Sequence, residues 1–215
     1  MAITDFDLAI LVVRVVKGDM DGLVLAAKVV GDGGILSYPT DTVYGLGCNP
    51  FAQNALERVI KVKGDRKKPL PVLVKNLQDA QRIADFSEKA IKLATRFWPG
   101  SVTLVLKAKA VVPRLLAPFG TIGVRSPKHA TCLSLLDLCS GCLVGTSANR
   151  TGRAPASTAE EVVATLGDSI DLIVDGGRAP LGVASTVVDL SSNFTVIREG
   201  PVSREALLKC LRNDR

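Results

Sequence analysis

Aromatic residues are scarce in this chain, 4% of 215 positions, with a single tryptophan and a single histidine. The core must therefore be aliphatic, and a nucleic-acid surface built on a platform of stacked rings is excluded. One histidine leaves little for a Ser-His relay, and His129 is expected on a helix surface. Cysteines number five, an odd count that does not suit a secreted disulfide framework, so a reducing cytoplasm is the expected location. Cys139 and Cys142 form the only CxxC. Without a second pair or further histidines a closed zinc site lacks ligands, and both are expected as buried structural thiols. Leu8 to Val16 is apolar except for Arg14 and too short to span a bilayer. It also lacks the order of a signal peptide, so no membrane partner is expected. GxxxxGK[ST] and GxGxxG are missing too, which removes the P-loop and the dinucleotide fold as explanations of a nucleotide site.

What remains is an ordinary globular composition, 47% hydrophobic and 22% charged, sufficient for one α/β domain with a mixed sheet. A balance of 27 Lys and Arg against 21 Asp and Glu gives +6 and favours an anionic partner. The organising stretch is Gly33 to Gly47, GGILSYPTDTVYGLG. Ile35 to Tyr38 predicts a short buried strand stopped by Pro39, which delivers Thr40, Asp41, Thr42 and Tyr44 together at the strand's carboxyl end, where α/β sheets bind ligands. Before it, Ile10 to Val16 predicts a first strand, and Asp21 a helix cap for a helix reaching Val30.

After the hydroxyl loop, Asn54 is expected to cap a helix in which Leu56, Val59 and Ile60 share a face with Lys63. A lysine on an apolar face cannot stay unpaired, so Lys63 should emerge into a polar site. The basic loop KGDRKKPL follows, then a strand at Val72 to Val74. Helices are expected at Leu77 to Ala84, Glu88 to Phe97 and Val112 to Leu116, with strands at Val102 to Leu106 and Ile122 to Arg125. Ser126 and Pro127 suit the start of a helix reaching Leu138. Leu143 to Gly145 predicts a strand, and Thr158 with Glu161 a capping box for a helix to Leu166. Strands follow at Leu172 to Val174, Thr186 to Leu190 and Thr195 to Ile197, and Ser203 caps a last helix. Polar residues recur where strands end: Thr40 and Thr42, Arg125, Ser147 and Asn149, Ser185, Arg198. Together with Lys63 and Arg66 they describe a site with cationic groups and many small donors, suited to a polyanion.

The ordered blocks GGILSYPTDTVYGLG, KGDRKKPLPVLV, FWPGSVTLVL, IGVRSP, GTSANRTG, DGG, STVVDL and IREG resemble the YrdC-like family, the threonylcarbamoyl-AMP synthases that begin formation of threonylcarbamoyladenosine beside the anticodon of tRNA. The likeness runs from about Gly22 to Leu211. It implies a YrdC-like single domain at residues 21–215, after an extension and first strand at residues 1–20, with a twisted mixed sheet flanked by helices around a concave basic cleft. The chain looks like the single-domain form.

The implied reaction joins L-threonine, bicarbonate and ATP into L-threonylcarbamoyl-AMP, pyrophosphate and water. By the same resemblance, Thr42, Arg125 and Ser185 would hold threonine, while Arg66, Thr121, Ser147, Asn149 and Arg198 would hold ATP. Lys63 would lie beside the phosphates, with Mg²⁺ bridging them, and Lys63 and Arg66 would carry the catalytic charge. Arg125 is the natural partner of the carboxylate. tRNA and a downstream threonylcarbamoyl transferase complex are the implied partners. The sequence departs from the family pattern at Lys63-Gly-Asp-Arg66, where Lys-x-Arg is usual, and at Leu73, where some relatives place a histidine. The rival readings are a non-catalytic RNA-binding module of the same fold and a carbamoyl-transfer enzyme. YrdC-like domains also occur in hydrogenase-maturation proteins, which are long chains carrying zinc motifs that this one lacks.

Overall fold

Pro39 ends its strand as expected, and the chain beyond it folds back into a hairpin. The structure, a computed structural model, describes residues 13–64 and 69–212. Strand β2 (Leu36–Tyr38) pairs antiparallel with β3 (Gly45–Gly47), so the hydroxyl loop lies between two strands of one sheet. β3 pairs onward with the two-residue β8 (Thr146–Ser147). Neither β3 nor β8 is expected from the sequence, because each is short and built of glycine and hydroxyl residues. On the other side, β9 (Leu172–Asp175) runs parallel to both β2 and β1 (Arg14–Lys17). Of the first strand expected at Ile10 to Val16, positions 10–12 lie outside the described residues.

The strands divide between two mixed sheets rather than filling one. The first has the order β1-β9-β2-β3-β8. The second comprises β4 (Val72–Val74), β5 (Val102–Lys107), β6 (Thr121–Arg125), β7 (Cys142–Val144), β10 (Thr186–Asp189) and β11 (Thr195–Arg198), in the order β11-β10-β5-β6-β4-β7. Hydrogen bonds to the backbone of Val144 rivet the two sheets together: Tyr38 Oη donates to Val144 O at 2.6 Å, and Val144 N donates to Cys48 O at 3.0 Å. Gly47 is required at this seam, since a Cβ there would stand 2.0 Å from Val144 O.

Seven helices cover the sheets among the described residues: α1 (Met20–Gly31), α2 (Gln53–Lys63), α3 (Leu77–Ile83), α4 (Glu88–Phe97), α5 (Ala130–Leu138), α6 (Ala159–Leu166) and α7 (Arg204–Arg212). One core gathers Leu23, Ala26 and Val30 of α1 with Cys132, Leu135 and Leu136 of α5, over Leu36 and Tyr38 of the first sheet and Leu73 and Leu143 of the second. The other core lies beneath α2, α3, α4, α6 and α7, where Val72, Val74, Leu104, Ile122 and Val124 turn inward.

Helix starts differ most from the sequence reading. Asp19, not Asp21, caps α1, accepting from Gly22 N at 3.0 Å. Asn54 lies within α2, whose N-cap is Ala52. The side chain of Asn49 accepts from Phe51 N at 2.9 Å and forms the turn that starts the helix early. Ser126 does not open α5. Its hydroxyl donates to Lys75 O and Lys128 N donates to Asp41 Oδ1, so these tertiary bonds hold the segment extended until His129 caps at Cys132 N. His129 is thus a half-buried cap rather than a free surface residue. Val112 to Leu116 is a pair of turns instead of a helix, broken at Pro113. Thr158 caps α6 as expected, with Glu161 accepting from Ser157 N.

Candidate functional site

The site is assembled on one rung of the second sheet. Arg198 on β11 pairs with Val187 on β10, and Val187 with Thr103 on β5. Arg125 on β6 pairs with Leu73 on β4, and Leu73 with Leu143 on β7. Extending the β5–β6 register by one residue brings Thr103 opposite Arg125. Paired residues share a face, so Arg198, Thr103, Arg125 and Leu73 all stand on the side away from Val124 and Leu104. Arg125 and Arg198 are three strands apart, roughly 14 Å between Cα atoms, a span their side chains narrow from both ends.

Arg125 is buried and heavily bonded. Its Nε donates to Gly100 O at 2.9 Å, its Nη1 to Thr42 Oγ1 at 2.9 Å, and its Nη2 to Asp41 Oδ1 in an ion pair. Three of its five N–H donors are thus engaged among the described residues, and two remain. The side chains of Arg125 and Asp41 are only 6% and 7% exposed. Asp41 is the residue that sequence reasoning left without a role. An acid in the middle of a hydroxyl-rich loop, in a chain expected to bind anions, was the available signal.

One hydroxyl meets each arginine, Thr42 on Arg125 and Ser185 on Arg198. Thr42 belongs to a tight cluster with Thr40, whose Oγ1 lies 3.0 Å from Thr42 Oγ1, accepts from Thr42 N at 3.1 Å and donates to Val43 O at 2.6 Å. Ser185 lies 2.8 Å from Thr103 Oγ1 and accepts from Arg198 Nη2 at 3.3 Å, while Arg198 Nε donates to Ser185 O at 3.0 Å. Arg198 is exposed overall, yet its guanidinium turns to Ser185. Burial, followed by the like charge of Arg125, lowers its pKa from the usual arginine range, which links the two arginines electrostatically. Gly200 presses against this segment; a Cβ there would meet Ala184 O at 2.4 Å and Ser185 C at 2.7 Å.

Lys63 ends α2 and is 2% exposed. Its Nζ donates to Ser147 O at 2.6 Å, to Asn149 Oδ1 at 3.1 Å and to Asn149 O. The side-chain amide of Asn149 donates in turn to Arg150 O and Arg153 O. Lys63 is thus paired, as a lysine on an apolar helix face must be, but it is buried against Ser147 and Asn149 rather than emerging into an open site. Thr121 is less closely gathered: it opens β6, roughly 13 Å along the strand from Arg125 on the same face, opposite exposed Lys107. Arg66 lies outside the described residues.

Four of the five cysteines are poor nucleophiles. Burial pushes the Cys48 and Cys139 thiols up to about 12 and raises Cys132 and Cys142 as well, so they stay protonated at neutral pH. Tyr44 is likewise raised to about 12, mainly by burial, while its hydroxyl donates to Gly177 O at 2.8 Å. The groups that remain are guanidinium, ammonium and hydroxyl, which can meet an anion, and the Asp41 carboxylate, which holds Arg125.

Comparison with known proteins gives this set a lineage. A model of the Sua5/YciO/YrdC family, described as telomere recombination, matches residues 28–200. The threonylcarbamoyl-AMP synthase of Pyrococcus abyssi is 37% identical over 191 residues, which are 87% of this chain and 56% of that protein. The Bacillus subtilis threonylcarbamoyl-AMP synthase is 34% identical over 189 residues, 85% of this chain and 54% of that protein. The chain therefore spans about half the length of these two relatives. A crystal structure of Pyrococcus abyssi Sua5 complexed with L-threonine superposes with a TM-score of 0.87 at 33% identity, covering 94% of this chain and 61% of that one. By its match to the family model over residues 28–200 and by its identity to these relatives, the chain belongs to the Sua5/YciO/YrdC family.

Proposed function

We propose that the protein is an L-threonylcarbamoyladenylate synthase, a nucleotidyltransferase that makes threonylcarbamoyl-AMP for threonylcarbamoyladenosine modification of tRNA. The observation that carries this reading is the buried Arg125, bonded to the Thr42 hydroxyl and standing on the same sheet face as Arg198, which bonds Ser185. A site of that kind suits a small carboxylate next to a polyphosphate. The relatives' names and the threonine-bound Pyrococcus abyssi structure support the same choice.

In this proposal the threonine carboxylate pairs with the remaining N–H groups of Arg125, near Thr42 and Ser185. The amine nitrogen bonds to carbon of bicarbonate-derived carbon dioxide and loses a proton, giving a carbamate. A carbamate oxygen then bonds to the α-phosphorus of ATP as the bond to the β-phosphate oxygen breaks, releasing pyrophosphate. ATP lies along Arg198, Ser147, Asn149 and Thr121, with Arg66 completing the cationic set. Lys63 holds the Ser147–Asn149 segment in place and adds positive charge near the phosphates. Magnesium enters with ATP as part of the substrate: among the described residues no group of three His, Cys, Asp or Glu is placed to hold a cation, and Mg²⁺ commonly rides on substrate phosphates. The residues act by positioning and by stabilising charge. A cytoplasmic setting, with a threonylcarbamoyl transferase complex and tRNA downstream, completes the proposal.

The test is incubation with Mg²⁺-ATP, bicarbonate and labelled threonine. Pyrophosphate release that requires both threonine and bicarbonate, together with a labelled adenylate, is the expected result. Pyrophosphate independent of either, or none from folded protein, overturns the proposal and favours an RNA-binding module.

A further inference from the structure

The hydroxyl cluster in the β2–β3 loop has a fixed direction. Thr40 Oγ1 has one proton, and it goes to Val43 O at 2.6 Å, because a carbonyl can only accept. The same oxygen accepts from Thr42 N at 3.1 Å. In the 3.0 Å contact between the two hydroxyls Thr42 must therefore be the donor and Thr40 the acceptor. That contact uses the only proton of Thr42, and Arg125 Nη1 occupies one of its lone pairs at 2.9 Å. Thr42 Oγ1 retains a single lone pair. Thr40 is 3% and Thr42 2% exposed, so water has little access with which to reorganise the cluster. Ser185 differs: its 2.8 Å contact with Thr103 can run in either direction.

We infer that Thr40 is a positioning residue that locks Thr42 as a hydrogen-bond acceptor, so that the amino acid is selected for a side-chain donor, its hydroxyl proton. This inference rests on the threonine-site reading above and adds to it a direction for the selecting bond. A side chain that accepts without donating meets the lone pair of Thr42 and is rejected; a side chain with neither capacity leaves that lone pair unpaired.

The test compares binding of L-threonine and its 3-fluoro analogue, in which fluorine fills the place of the hydroxyl but cannot donate, by titration calorimetry on the wild-type protein, Thr40→Val and Thr40→Ser. The wild type is expected to prefer threonine strongly. Thr40→Val frees the Thr42 proton to turn toward the ligand, and the preference should shrink about tenfold, whereas Thr40→Ser should keep it. A general loosening of the loop would weaken both ligands alike and leave their ratio unchanged. An unchanged ratio in Thr40→Val, or an equal loss in Thr40→Ser, overturns the inference. If the wild type binds neither amino acid, the threonine-site reading fails, and the lock it presupposes fails with it.

Discussion

Two cations are buried among the described residues, and they are held in different ways. Arg125 sits on the rung of the second sheet and reaches to the loop of the first, where Asp41 meets it with a full negative charge and Thr42 with a hydroxyl. Lys63 sits at the end of a helix and meets the oxygens of Ser147, the last residue of the edge strand β8, and of Asn149 just beyond it. The first cation is a clamp across the junction of two sheets. The second organises a loop. Charge placed at a junction should matter to the whole fold, whereas charge placed on a loop should matter to whatever that loop binds.

The sharpest break in the comparison is Asp41→Asn, which keeps the shape and leaves Arg125 buried without its counter-charge. Removing one partner of a buried pair costs about 3–5 kcal/mol. In a chain of this length that corresponds to a fall in Tm of roughly 10 °C, readable by calorimetry. A shift of only a degree or two would show that the clamp does not hold the sheets.

Lys63→Ala should act on function more than on stability. If Lys63 lies near phosphate as proposed, losing its charge-assisted contact costs about 1.5–3 kcal/mol, or roughly ten- to a hundredfold in turnover, read by pyrophosphate release. Lys61, exposed on the same last turn of α2, is the control, and Lys61→Ala should be close to neutral because screened surface charges contribute little. Equal loss in both variants would reduce Lys63 to general surface charge.

The smallest effect concerns His129, beside the clamp through Lys128 N and Asp41. Burial lowers its pKa against the opposing influence of Asp41. Its Nδ1 accepts from Cys132 N, which requires the neutral ring. A depressed folded pKa means that the unfolded chain takes up the proton first. The stability from neutral His129 is therefore full above about pH 6.5 and is lost as pH falls through the lower folded value. His129→Asn keeps a capping acceptor and should flatten the pH dependence of Tm below about pH 6.5. An unaltered slope would remove His129 as its source.

Much of the scaffold was legible. The strand before Pro39, the strands at Val72 and Leu172, the helix ending at Phe97 and the Ser203 start of α7 all follow from local rules. Lys63 was found by helical spacing alone, since residues three and four apart share a face whatever surrounds them. Arg125, Ser185 and Arg198 stood out as polar residues at strand ends. The partners of these residues were not legible. Asp41 and Arg125 are 84 positions apart, and nothing local joins them.

Local chemistry therefore determined which side chains could form a site, and tertiary structure decided which of them meet. Turn residues, short apolar runs and helix spacing act within a few positions, so the sequence by itself established most elements, the aliphatic core and the cationic candidates. The division into two sheets, the rung from Arg198 to Leu143, the cap at His129 and the proton direction between Thr40 and Thr42 needed strand register and long-range bonds. Register depends on which distant strand is nearest, and a hydrogen bond's direction depends on every neighbour of both oxygens. Both are properties of the packed molecule.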